Sequence, residues 1–299
     1  MQTWRKGVLA VVLATTLAAC DDDEATAVQE PDIVELAAET PELSTLVTAV
    51  QEAGLVDALK ADGPYMVFAP VNSAFADLDA AALNRLLEDG NVDLLQKVLT
   101  YHVVPGRLLA SNLSEGAQLT TLEGGNLTVS LQGGATVNGV SIVATDITAD
   151  NGVVHLIDGV LLDHLDIVDV ARVNGLTSLV SAVQQAGLVD ALRGNGGGNG
   201  LMVFAPTNDA FAALGTVPSD PAVLSEVLLY HVVDGRVPST ALSDNQQITT
   251  LQGGTARIDL SSGVTVEGAN NSADVVQPNV SASNGVIHVI DAVLLPPSS

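Results

Sequence analysis

The chain has 299 residues, 47% of them hydrophobic, 15% charged and only 3% aromatic, with a formal net charge of −25. That composition describes packed globular units and excludes a disordered chain. A surface so acidic, with no basic patch, repels phosphate backbones and excludes nucleic-acid binding.

The first segment reads as a leader to be kept out of fold reasoning. Arg5-Lys6 form a positive start, and Val8 to Ala19 form an apolar run of 12 residues. A bilayer span needs about 20. The run ends in Leu17-Ala18-Ala19-Cys20 at the only cysteine of the chain. This stretch resembles a bacterial lipobox, with residues 1–19 the signal peptide and Cys20 the lipidated new N-terminus. Several acyl chains on one residue would anchor the protein stably to a membrane. A mature chain with Cys20 acylated would contain no free thiol and no disulfide. Residues 20–29, beginning Asp21-Asp-Asp-Glu, read as an acidic tether.

Ile33 to Ala37 opens the folded part as a short apolar helical turn. Leu43, Leu46, Val47 and Val50 follow at the i, i+3, i+4, i+7 spacing of an amphipathic helix, and Leu55 to Leu59 forms a second piece. Tyr65 to Phe68, bounded by Gly-Pro and Pro70, reads as a buried strand. Asn72 is suited to cap the start of the next helix. Ala80 to Leu87 and Val92 to Leu99 look helical and lead into Tyr101-His102-Val-Val. From there to Leu162 the runs Leu119-Thr-Thr-Leu, Leu127 to Leu131, Val140 to Thr145 and Val153 to Ile157 read as strands. Gly-Gly and Asn-Gly turns separate them. Helices first and an antiparallel sheet second is an α+β layout.

The whole pattern then repeats about 133 residues later. Leu46 to Leu59 returns as Leu179 to Leu192 with 12 of 14 positions identical. Met66 to Phe75 returns as Met202 to Phe211, Tyr101-His102 as Tyr230-His231, and Asn151 to Leu162 as Asn284 to Leu295. The period exceeds that of solenoid repeats, so these are two homologous domains, 30–162 and 163–295. The copies differ between the strand and the Tyr-His pair. Phe68 to Tyr101 is 33 residues, whereas Phe204 to Tyr230 is 26. The second copy therefore lacks most of the helix around Asn84 to Leu87 and carries Pro218 and Pro221 instead. About five residues join Leu162 to the next helix, leaving the domains little freedom.

Three ordered motifs, each present twice, resemble the fasciclin-like domain. Its first box looks like Val67 to Phe75 and Val203 to Phe211. Its central pair looks like Tyr101-His102 and Tyr230-His231, and its second box like Asn151 to Asp158 and Asn284 to Asp291. The resemblance implies α+β domains, each a wedge-shaped β-sandwich with helices packed on one side. It also implies a non-enzymatic role in adhesion or protein–protein interaction outside the cell. In animal relatives the Tyr-His region is linked to integrin binding, a partner that a bacterial envelope does not offer. Glu30-Pro-Asp-Ile-Val34 is similar to an adhesion pentapeptide of animal relatives, but it opens a helix here and reads as coincidence.

No catalytic constellation appears. There is no nucleophile elbow, His-Glu-x-x-His, Walker loop or dinucleotide fingerprint. His102, His231, His155 and His288 lie in apolar runs without further ligands at metal spacing and read as core histidines, while His164 reads as exposed. Asp158 and Asp291 follow strand ends, where turn-forming Asp is ordinary. No metal or cofactor is expected. The leading reading is an envelope adhesion or interaction module, lipid-anchored on the periplasmic or cell-surface side. Its partner would be a surface or matrix protein. The alternative is a lipoprotein that binds a small molecule or glycan, for which the only tryptophan, Trp4, lies in the leader. Tyr101, His102, Tyr230 and His231 are the candidate interaction or structural motif. On a strand Tyr and His would face opposite sides, which predicts a buried histidine and a tyrosine hydroxyl near solvent.

Overall fold

The computed structural model describes residues 30–297 apart from 62, 79, 195–197, 216, 217 and 262. Residues 1–19, read above as a signal peptide, and the expected lipidated Cys20 and acidic tether over 20–29 lie outside these. The first domain runs α1 (Ile33–Glu39), α2 (Ser44–Glu52), α3 (Val56–Lys60), β1 (Tyr65–Pro70), α4 (Asn72–Ala76), α5 (Ala80–Leu86), α6 (Val92–Tyr101). It continues with β2 (Val103–Pro105), β3 (Gln118–Thr120), β4 (Asn126–Ser130), β5 (Thr136–Val137), β6 (Val140–Ala149) and β7 (Gly152–Ile157). The second repeats it as α7 (Ile167–Val173), α8 (Thr177–Gln185), α9 (Val189–Arg193), β8 (Leu201–Pro206), α10 (Asn208–Ala213) and α11 (Pro221–Leu229). Its sheet continues with β9 (Val232–Asp234), β10 (Gln247–Thr249), β11 (Thr255–Asp259), β12 (Thr265–Glu267), β13 (Ser272–Ala282) and β14 (Gly285–Ile290). Among the described residues, α5 has no counterpart in the second domain, as the spacing predicted.

Each domain holds one seven-stranded sheet, ordered β2-β1-β7-β6-β5-β4-β3 and β10-β11-β12-β13-β14-β8-β9. The sheet is mixed and not antiparallel throughout. β1 pairs parallel with β7 in the register Phe68↔His155, and β8 with β14 in the register Phe204↔His288. The two sequence boxes are therefore neighbouring strands. The ladder folds over until its ends meet, Leu122 N–H donating to Val103 O at 2.8 Å and Leu251 N–H to Val232 O at 2.7 Å. This closed wedge has two kinds of interior. Met66 and Phe68 point inward to Leu127, Val129 and Val137, while Val67 and Ala69 on the opposite face of the same strand meet the helices. Strand alternation thus makes β1 buried on both sides. Full burial of a side chain such as Phe68 stabilises by about 1.5–3 kcal/mol.

The inner clusters of the two wedges are separate, but the helix-side cluster is continuous through both domains. The second box also ties helices to sheet. Asn151 Oδ1 accepts from Ile33 N–H at 3.0 Å and its amide donates to Leu59 O at 2.7 Å. Asn284 does the same with Ile167 at 2.9 Å and Leu192 at 2.7 Å. A Cβ on Gly152 or Gly285 would run into the carbonyl of Tyr65 or Leu201 and the Ile33 or Ile167 side chain. The Asn-Gly pair is needed for this junction, not for a turn alone. Asn72 and Asn208 cap differently from expectation. Each sits inside the first turn of its own helix and instead accepts from the start of a neighbouring one, Thr45 N–H and Ser178 N–H, both at 3.0 Å.

Candidate functional site: the Tyr-His pairs and the domain junction

The Tyr-His pairs do not lie on strands. α6 runs two residues beyond its predicted end, so Tyr101 is its last residue and His102 its C-cap. Tyr230 and His231 close α11 in the same way, as C-cap and next residue. Side chains about 100° apart around a helix can both enter the interior. They do, with Tyr101 2%, His102 2%, Tyr230 0% and His231 1% exposed. The expectation that one of each pair must face outward is corrected by this helical setting. The tyrosine ring fills the inner wedge, and the histidine lies under the helices.

Both histidines are held at both nitrogens. His102 Nδ1–H donates to Val98 O at 2.8 Å, and its Nε2 accepts from Leu161 N–H at 3.0 Å. His231 repeats this with Val227 O at 2.8 Å and Leu294 N–H at 2.8 Å. An acceptor role at Nε2 requires the neutral imidazole. Burial pushes each ring well down, to about 4. The histidine fastens the tail of the second box to the last helix. His155 and His288 are also buried core groups, bonded at both ring nitrogens. Nδ1 accepts from Asp146 N–H or Asn279 N–H, both at 3.2 Å, and Nε2–H donates to Leu108 O at 3.0 Å or Val237 O at 3.1 Å. These bonds hold bulges where Asp146 and Asn279 take left-handed φ of 62° and 60°. With every nitrogen of these four rings engaged, none is available to a metal. Among the described residues no three His, Cys, Asp or Glu side chains gather as a metal site. Asp158 and Asp291 accept from Ser141 N–H and Asp274 N–H, 17 residues away on the neighbouring strand, so they tie strand to strand and not a local turn. Asp32 of the Glu30–Val34 stretch caps α1, and Ile33 is buried.

The two tyrosine hydroxyls differ. Tyr230 donates to Thr255 O at 2.7 Å and accepts from Ala269 N–H. Tyr101 bonds Asn126 O at 3.0 Å and Asp163 Oδ2 at 3.3 Å, and Asn138 Nδ2 donates to the same Asp163 oxygen at 2.6 Å. Burial, then the Asp163 charge, push the Tyr101 phenol up to about 12. His164 stacks on the Tyr101 ring at 3.9 Å between centroids. It is not exposed, as the sequence suggested: both ring nitrogens are buried, and desolvation pushes it down to about 3. The linker between domains is thus bolted to Tyr101. Its end is bolted too, since Asp166 caps α7 and lies 3.3 Å from Arg193 and 3.8 Å from Lys97.

Across the junction, Lys97 Nζ meets Asp169 Oδ2 at 2.6 Å, and that carboxylate is 2% exposed. Arg172 forks onto Asp93 with two bonds of 2.8 Å and onto Asn91 Oδ1 at 2.9 Å. The guanidinium holds the Asp93 carboxyl below its usual range. Arg85 Nη1 donates to Val173 O at 3.0 Å at the end of α7. Of the eight Lys and Arg beyond Lys6, Arg85, Lys97, Arg172 and Arg193 all gather here. A polar cleft of about 620 Å³ opens beside them, lined among others by Glu88, Gln184 and Ser181. No helix among the described residues is long and apolar enough to cross a membrane. None of these junction contacts was read from the sequence; the concentration of cations at four positions of an acidic chain was the available signal.

Known proteins carry the same pattern. Protein sll1483 of Synechocystis sp. is 47% identical over 131 residues, 44% of this chain and 72% of that protein. The transforming growth factor-beta-induced protein ig-h3 of Sus scrofa is 31% identical over 251 residues, which is 81% of this chain but 36% of the relative. The cell surface glycolipoprotein MPB83 of Mycobacterium bovis is 37% identical over 140 residues, 45% of this chain and 61% of that protein. Residues 41–163 and 174–296 each match the family described as Fasciclin domain. The chain belongs to the fasciclin domain family, with two domains in tandem, each a mixed sheet with helices packed to one side.

Proposed function

We propose that this protein is a non-enzymatic adhesion or protein-interaction module of a bacterial cell envelope, held to a membrane by a lipidated Cys20 and an acidic tether. The observation that carries the reading is the pairing of two fasciclin domains with a leader whose 12-residue apolar run ends at the only cysteine. Two features support it. A relative is named a cell surface glycolipoprotein, and the interiors of both domains are filled by apolar side chains and bonded histidines, leaving enclosed space of about 20–30 Å³ under the helices. That is room for about one or two waters, not for a substrate. The partner is a surface or matrix protein, met by the outside of the pair. Tyr101, His102, Tyr230 and His231 then act as scaffold, since their burial keeps them from a partner.

Detergent phase separation of the full-length protein expressed in a bacterium tests the anchor. Wild type is expected in the detergent phase and Cys20→Ser in the aqueous phase. Wild type in the aqueous phase would remove the anchor from the reading. Crosslinking of the anchored protein in its own cells would then identify the partner, and capture of a soluble small molecule or glycan alone would favour the alternative ligand class.

A further inference from the structure

The domains repeat the same helical opening, and only one of the two is finished by itself. α1 buries Ile33 and Ala37 and leaves Glu35, Ala38 and Glu39 exposed. α7 buries Ile167, Val168, Asp169, Val170, Ala171 and Val173, six of its seven residues. The extra cover comes from the first domain. α5 and α7 pack together, Lys97 reaches Asp169, and Arg85 crosses to the last carbonyl of α7. The receiving side is shaped for it. Gly175, at a left-handed φ of 70°, lies under the Arg85 guanidinium, where any Cβ would collide with it; the matching place after α1 is Pro41. A cation at a helix C-terminus also complements the carbonyl dipoles there. Asn91 locks both sides, donating to Arg85 O at 2.7 Å and accepting from Arg172.

We infer that α5 is an interdomain clamp and that the second domain depends on it: domain 2 is completed by domain 1, and its stability is conditional on that contact. The seven extra residues between Phe68 and Tyr101 supply the helix that reaches α7. The second domain has no such helix among its described residues, and the first has no clamp to receive because α1 carries Glu39 where α7 carries the buried Val173. The dependence runs one way. Removing the clamp strips Asp169 of its nearest cation and the end of α7 of its Arg85 contact, whereas the ion pair on α1 is supplied by Lys60 of its own domain.

Hydrogen exchange on the intact chain, read peptide by peptide, tests this. In the double variant Arg85→Ala/Lys97→Ala, amides of α7, β8 and β14 are expected to exchange about tenfold faster or more, with β1 and β7 unchanged. Lys60→Ala removes the matching ion pair of domain 1 and is expected to leave domain 2 at wild-type rates. Unchanged exchange in α7 of the double variant, or equal acceleration of β1 and β7, would overturn the inference. So would acceleration of domain 2 by Lys60→Ala. Should the double variant not fold, Arg85→Gln is read by the same peptides and the same criteria.

Discussion

Helices α1 and α7 begin with the same device and end in different surroundings. Each starts on an aspartate N-cap, and each has a basic residue from the third helix of its domain returning to it. Lys60 meets Asp32 at 3.2 Å and Glu35 at 2.9 Å, and Arg193 meets Asp166 at 3.3 Å and Asp169 at 3.7 Å. The Glu35 side chain is 54% exposed, so its pair is screened and weak. The Asp169 side chain is 2% exposed because Lys97 of the other domain closes over it. Repeated sequence therefore gives repeated geometry without repeated energetics. What a motif contributes is decided by which domain stands next to it.

The two domains are most alike at the histidines, His102 and His231. His102→Ala and His231→Ala each delete two buried hydrogen bonds and leave a cavity, for an expected loss of about 3 kcal/mol apiece. Thermal denaturation should show comparable falls in Tm for the two variants, on the order of 10 °C. A large difference between them would mean the two sites are not equivalent.

Acid should act on the same groups. Both rings have folded-state values near 4, below the ordinary value of 6.5. The unfolded chain therefore takes up protons first. Stability from this source is complete above about pH 6.5 and is lost as pH falls toward 4. Between pH 7.5 and 5.5 the two rings together should cost about 2–3 kcal/mol. Melting at the two pH values checks it, and the slope should shrink in His102→Ala/His231→Ala. An identical slope in that variant would assign the acid sensitivity elsewhere.

Asp169→Ala and Glu35→Ala should affect the two helices unequally. Removing the buried carboxylate leaves Lys97 with only the longer Asp166 contact and should cost about 2 kcal/mol, reduced from the fully buried case because Lys97 keeps that partner and some solvent. Glu35→Ala should leave the melting curve where it is. Equal shifts in the two variants would show that the junction adds nothing to the ion pair.

Much of this was legible in the chain. The repeat, the boxes, the missing helix of the second domain and the strand runs all follow from periodicity and spacing. The Tyr-His setting was misread because strand alternation was applied where a helix persists. Yet Leu95, Val98, Leu99 and His102 continue the i, i+3, i+4, i+7 stripe, and that stripe was the signal. Parallel pairing of β1 with β7 joins segments about 87 residues apart, which local pattern does not reveal. Asn72 looked like a cap and is one, for a helix that only the tertiary fold brings near. His164 looked exposed because its polar neighbours Asp163 and Asp166 are adjacent in sequence, whereas the Tyr101 ring that covers it comes from across the domain.

The two domains form one body with a fixed orientation, bolted by Tyr101 to Asp163, by Lys97 to Asp169 and by Arg85 to the end of α7. The most direct measurement is a spin-label distance distribution across the junction. Labels at exposed Gln132→Cys and Ser243→Cys, with Cys20→Ser removing the native thiol, place one reporter on each wedge. One narrow distance peak, unchanged between low and physiological salt, is the predicted result. A broad distribution, or several peaks that shift with salt, would show two domains moving independently and would contradict it.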